Sequence, residues 1–135
     1  MTDINFSSIA VGSNIPANYQ GFNWALCQFN GSFSGPVGIS DSDNVHVIQG
    51  FGFQIVKSSS GYFAASSITA SGQFGMPLDF TAVGYKDGNE IYRTPLYSIS
   101  PDTFSLPSNP IDTLDISSNA VEVFNISAIS VVVPQ

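Results

Sequence analysis

Charge is scarce in this sequence, and positive charge most of all. Of 135 residues only 10% are charged, three basic against ten acidic, for a formal net charge of −7; an ordinary soluble domain carries roughly 25%. Lys57, Lys86 and Arg93 are the only side-chain cations apart from a single histidine, too few and too scattered to neutralise a phosphate backbone, so nucleic acid is excluded as a partner. A lone cysteine, Cys27, allows no internal disulfide. One Cys and one His, His46, cannot assemble a tetrahedral zinc site of Cys and His ligands. No apolar run approaches the roughly 18 residues that a membrane helix needs, so no membrane partner is expected. The opening Met1-Thr2-Asp3-Ile4-Asn5 has neither a basic stretch nor an apolar one and does not read as a signal peptide. Helical signals are missing as well: no window carries a capped i, i+3, i+4, i+7 apolar stripe.

What is present is β-chemistry. The apolar share is 43% and the aromatic share 13%, with eleven Phe, enough core for a single domain of this length. Short β-branched and aromatic runs are punctuated by Gly, Pro, Ser, Asn and Asp. They place strands near Ile4–Ile9, Gly21–Phe29, Phe51–Lys57, Tyr62–Ala70, Leu78–Lys86, Glu90–Ile99, Thr113–Ser117 and Val121–Val133. About eight such strands without crossover helices predict an all-β fold, an antiparallel sandwich or barrel. Asp87-Gly88 tolerates the positive φ angles of a type I′ turn and predicts a hairpin. Pro95 lacks a backbone donor and predicts an edge strand. The last strand changes phase, Phe124 and Ile126 on one parity and Ile129, Val131 and Val133 on the other, which predicts a bulge around Ser127-Ala128. Asn30 to Asn44 and Ser100 to Pro110 read as loops.

Two stretches resemble a known group. Ile4-Asn5-Phe6-Ser7-Ser8-Ile9, followed by Ile15-Pro16-Ala17-Asn18-Tyr19-Gln20-Gly21-Phe22-Asn23-Trp24, is similar to its short first strand and Pro-x-x-Tyr-x-Gly-aromatic-x-Trp element. Tyr62-Phe63-Ala64-Ala65, Val83-Gly84-Tyr85-Lys86-Asp87-Gly88 and Phe124-Asn125-Ile126-Ser127-Ala128-Ile129 resemble its body and closing strand. The group is the galactose-binding-like jelly rolls seen in PEP-CTERM-anchored bacterial proteins, fungal secreted proteins and many carbohydrate-binding modules. The resemblance implies a jelly roll whose N-terminal strand pairs near the C-terminal one, and an extracellular setting. Members often hold a structural Ca²⁺ between carboxylates after the first strand's aromatic and in the closing strand. Here those positions are Ser7-Ser8 and Ser127, which supply no carboxylate, so neither this metal nor a cofactor is expected.

Each chemical candidate has a plainer reading beside it. Trp24, clustered with Tyr19, is a stacking platform for a sugar or a wedge between two sheets. Tyr92, Arg93 and Tyr97, beside Asp87, Asn89 and Glu90, form a binding surface for a polar ligand or a charged guard on an edge strand; Tyr62 and Phe74 flank it. Asp41-Ser42-Asp43-Asn44 has the alternating oxygens of a cation loop without the Gly and distal Glu of an EF-hand, and reads more simply as a turn. His46 has no Gly-x-Ser-x-Gly elbow to serve, and Cys27 reads as a small buried hydrophobe. Glu90 and Glu122 are the only glutamates available to a glycosidase pair. Sequon matches fall at Asn5, Asn30 and Asn125.

The expectation is a non-catalytic, lectin-like carbohydrate-binding module, independent of calcium. Aromatic stacking would come from Tyr92, Tyr97 or Trp24, with Tyr19 beside it, and polar contacts from Arg93, Asp87 and their neighbours. The partner would be a glycan or another small polar ligand. The rivals are a self-associating surface protein, hence a homo-oligomer, and a small enzyme using Glu90, Asp87 or His46.

Overall fold

A computed structural model of the chain describes residues 2–28, 32–72, 77–119 and 122–133. Among these residues every regular element is a strand: β1 (Thr2–Asn5), β2 (Phe22–Leu26), β3 (Ile39–Ser42), β4 (Val45–Gly50), β5 (Gly52–Lys57), β6 (Ala64–Gly72), β7 (Leu78–Lys86), β8 (Asn89–Ser98), β9 (Asp102–Ser105), β10 (Thr113–Ser118) and β11 (Phe124–Val132). They form two antiparallel sheets packed face to face. One has the order β3-β4-β11-β6-β9 with β1 added against β11; the other is β2-β5-β10-β7-β8.

The antiparallel pairs β4·β11, β5·β10, β6·β9 and β7·β8 are nested one inside the next. The second half of the chain therefore doubles back on the first as one long hairpin, rolled so that its strands alternate between sheets. That is the jelly roll. The tip is the turn at Asp87 (φ 53°) and Gly88 (φ 83°), the positive pair a type I′ turn requires. β8 is an edge strand, where Pro95 costs the sheet little.

Inner faces follow the two-residue period. Phe53 and Ile55, Leu114 and Ile116, and Leu78, Phe80 and Ala82 point inward from the five-stranded sheet and are buried. In β11 an extra residue, Ser127, shifts the register between Ile126 and Ala128, so Phe124, Ile126, Ile129 and Val131 all reach the core. A second irregularity sets Ser66 as the extra residue of β6, between Ala65 and Ser67. Val133 departs from the expected parity and is 45% exposed, because β11 ends at Val132. Four phenylalanines cross between the sheets in sequence. Phe53 of β5 meets Phe124 of β11 (5.6 Å), Phe124 stacks on Phe80 of β7 (5.0 Å), and Phe80 meets Phe104 of β9 edge-on (5.2 Å).

Two strands, β3 and β9, lie where the sequence predicts loops, and β4 lies in a stretch the sequence leaves unassigned. β3 and β4 form a hairpin around Asp43 (φ 50°) and Asn44 (φ 67°), residue types that tolerate the left-handed region. β3 reads Ile-Ser-Asp-Ser, too polar for an apolar alternation to register. β9 sits between prolines and is held by Phe104 in the core. β1 ends at Asn5 rather than Ile9. Phe29 and Val121, expected at strand ends, lie outside the described residues.

Candidate functional site

The residues singled out in the sequence do not share one surface. Trp24 packs against the core with its ring edge-on to Phe6 (5.6 Å). Its indole N–H donates to the Tyr19 carbonyl (3.2 Å), and the Tyr19 hydroxyl donates to the Asn5 carbonyl (2.6 Å). Both side chains thus tie the 6–21 segment to the sandwich. On β8 the alternation of side chains separates Tyr92 from its neighbours. Tyr92 turns inward over Gly84; its hydroxyl is buried without a partner, and burial pushes its pKa up to about 12. Arg93 and Tyr97 turn outward, about 13 Å apart along the strand, and Tyr97 is 63% exposed. Asp87 caps the hairpin tip, accepting the Tyr62 hydroxyl on both oxygens (3.0 and 2.9 Å) while Lys86 lies 4.6 Å above the Tyr62 ring. Phe74 lies outside the described residues.

The remaining candidates are absorbed by structure. His46 Nδ1 donates to the carbonyls of Ile9 (2.8 Å) and Phe6 (3.2 Å). Asp41 stands opposite His46 in the β3–β4 ladder. Asn125 is 3% exposed and accepts from Gln49 (2.9 Å), so its sequon is enclosed. Asn5 is exposed on β1, and Asn30 lies outside the described residues. Among the described residues no group of three His, Cys, Asp or Glu side chains is placed to hold a metal ion.

A different site emerges on the outer face of the five-stranded sheet. The registers align Ala25, Gln54, Asp115, Val83 and Arg93 in one row across all five strands. Beyond the end of β2 the chain folds back beside this face. Cys27 N–H donates to Gly52 O (2.9 Å), Gln28 N–H to Ser32 O (2.7 Å), Ser34 N–H to Leu26 O (3.0 Å), and the Gln28 side-chain amide to Ser34 O (2.6 Å). The result is a cleft of about 350 Å³. Cys27, Phe33 and Phe51 line it from the fold-back side, Asp115, Ser117 and Val83 from the central strands, and Tyr85 and Arg93 from the side of the hairpin. This volume falls in the range of small-molecule sites, roughly 300–1,000 Å³.

Asp115 is the unusual member. One of its carboxylate oxygens, Oδ1, is buried with no hydrogen-bond partner. Burial raises its pKa above the ordinary carboxylate value, and a hydrogen bond from Gln54 offsets only part of that. Burial, then the charge of Asp115, raises the Cys27 thiol pKa in turn. Arg93 does not neutralise Asp115, because its guanidinium is held by Glu90 at 2.8 Å. A carboxylate in the middle of a central strand is a poor choice for folding, and stability surrendered in this way is a mark of functional sites. The sequence signal was Asp115 between Leu114 and Ile116, an acid on the outer parity of a strand already identified.

A carboxyl group whose pKa is raised by folding favours the folded state when protonated, and that contribution is lost as pH rises through the raised pKa. Asp115→Asn removes the ionisation and is expected to be more stable than the parent at neutral pH, by about 1 kcal/mol. The difference should shrink on acidification below the raised pKa of Asp115, as measured by denaturant melts across the acidic range.

Compared with known proteins, the chain matches no family model and no curated protein.

Proposed function

We propose that the protein is a non-catalytic, lectin-like carbohydrate-binding module that takes a saccharide unit in the cleft around Asp115. The observation that carries this reading is Asp115, whose Oδ1 is buried without a partner, among the residues that line a cleft together with aromatic side chains. A buried acceptor left unpaired costs free energy that a ligand donor recovers. Sugar hydroxyls are such donors, while sugar C–H faces suit the rings of Phe33, Phe51 and Tyr85. Ser117 and Arg93 add a hydroxyl and further N–H donors around the same space. Binding is favoured over glycoside hydrolysis because Asp115 is the one carboxylate among the described lining residues, whereas hydrolysis needs a convergent pair. Tyr92 and Trp24, turned inward, leave the stacking to these other rings.

Titration calorimetry with a panel of neutral and charged oligosaccharides tests this. At least one saccharide is expected to bind, and Asp115→Ala to weaken it about tenfold or more. No heat across the panel, or affinity untouched by Asp115→Ala, overturns the reading. Self-association is supported by a separate feature, the exposed Tyr97 (63%) and Ile99 (76%) at the end of edge strand β8; light scattering showing a dimer lost in Tyr97→Ser would favour it.

A further inference from the structure

We infer that the saccharide held in this cleft carries a free amine, so that the preferred ligand is an amino sugar whose ammonium group sits on Asp115. This deepens the carbohydrate reading and rests on it. The first ground is the disposition of the basic side chains. Lys57 donates to Ser59 Oγ (2.8 Å) and Ser60 O (3.2 Å) at a loop. Lys86 lies over the Tyr62 ring (4.6 Å), and Arg93 is paired with Glu90 (2.8 Å). The carboxylate in the cleft is thus ion-paired with none of the protein's Lys or Arg side chains, Arg93 lining the same cleft but pairing with Glu90, and its row neighbours are the neutral Gln54 and Val83. A half-buried anion without a counter-charge is a costly arrangement that an incoming cation relieves.

The second ground is hydrogen-bond stoichiometry. An ammonium group presents three donors and no acceptor. Oδ1 of Asp115 is an acceptor without a donor, and the Ser117 hydroxyl lines the same cleft. A sugar hydroxyl meets a carboxylate with a neutral donor, whereas an ammonium group adds a full opposite charge to the hydrogen bond. The third ground is the lining: Phe33, Phe51 and Tyr85 line the same cleft as the carboxylate, and the faces of aromatic rings attract cations. At longer range the net charge of −7 favours the approach of a cationic ligand over an anionic one.

The test compares three four-unit oligosaccharides by calorimetry at moderate salt, slightly below neutral pH: β-1,4-glucosamine, its N-acetylated form, and the glucose oligomer. Each is titrated into the parent protein, into Asp115→Asn, and into Asp43→Asn, which removes the same charge from the exposed β3–β4 turn. Thermal melts confirm that both variants are folded. The glucosamine oligomer is expected to bind the parent about tenfold or more tighter than either neutral oligomer. Asp115→Asn should abolish that preference, and Asp43→Asn should leave it within about twofold, as expected for a distant exposed charge. Equal affinity for all three oligomers overturns the amine assignment while leaving the saccharide reading in place. Equal loss of preference in both variants also overturns it, because bulk charge would then account for the selectivity. No binding by any oligomer overturns the amine assignment.

Discussion

Phe80→Ala is expected to destabilise the protein by about 3–5 kcal/mol, the range for truncating a fully buried phenylalanine, and to lower its melting temperature by roughly 10 °C or more. Phe80 is 1% exposed and stands between two partner rings on the opposite sheet, Phe124 stacked at 5.0 Å and Phe104 edge-on at 5.2 Å. Truncation removes the ring's transfer free energy and both ring–ring contacts, and it leaves a cavity that neighbours fixed in paired strands cannot close. Because β9 is short and is held to the core through Phe104, it should be the first element to lose protection against amide hydrogen exchange. Urea titrations with an unchanged m-value would confirm a pure loss of stability. A cost below about 1 kcal/mol would contradict the cross-sheet ring sequence as the centre of the core.

Gly52→Ala is expected to be comparably damaging, for a different reason, and to reach the cleft directly. Gly52 begins β5 opposite Ser117 of β10. A Cβ there would overlap the Ile116 carbonyl oxygen, lie 2.9 Å from Ser117 Cα and lie 3.2 Å from Cys27 Cβ. Two of those three atoms are backbone of a central strand and cannot rotate aside. The strands must separate or the Cys27 segment must lift, at about 3 kcal/mol, the upper part of the range for overpacking. Cys27 and Ser117 both line the cleft, so the folded fraction of this variant should also lose saccharide affinity. The expected pair of results is a large drop in denaturant midpoint and weakened binding under conditions where circular dichroism shows native β-structure. A Gly52→Ala protein of parental stability would refute this packing. Gly88→Ala makes a useful contrast: a Cβ there meets nothing within 4 Å, and the strain comes from its φ of 83° alone.

The sequence carries the sandwich well wherever its signals are local. The turn chemistry of Asp87-Gly88, the missing donor of Pro95 and the phase change around Ser127 each act within a few residues, and each has its structural counterpart. β3 escapes because Ser40, Asp41 and Ser42 lack apolar alternation, and its pairing is supplied by the Asp43-Asn44 turn and by β4. β9 escapes because Phe104 is a single anchor among polar and proline residues.

The candidate site is less legible, for a physical reason. Nothing local to Asp115 says that one oxygen is buried; that follows from the registers of β5, β10 and β7 and from a segment near Cys27 that is distant in the chain. The hairpin surface singled out in the sequence divides for a reason that period-two alternation does contain. Tyr92 is an odd number of residues from both Arg93 and Tyr97 and must face the other side of the sheet. Asp87, adjacent to the turn, is drawn to Tyr62, which no spacing rule connects to it.

The most direct measurement of where a ligand sits is a ¹H–¹⁵N NMR titration of the assigned protein with the glucosamine oligomer. A saccharide in the cleft should move the amides of Val83, Tyr85, Arg93, Asp115 and Ser117 and the side-chain amide of Gln54, and leave the Trp24 indole N–H and the Tyr97 amide nearly still. Shifts centred on Trp24 and Tyr19, or on Tyr97 and Ile99, or no shifts at all, would contradict a binding site built around Asp115.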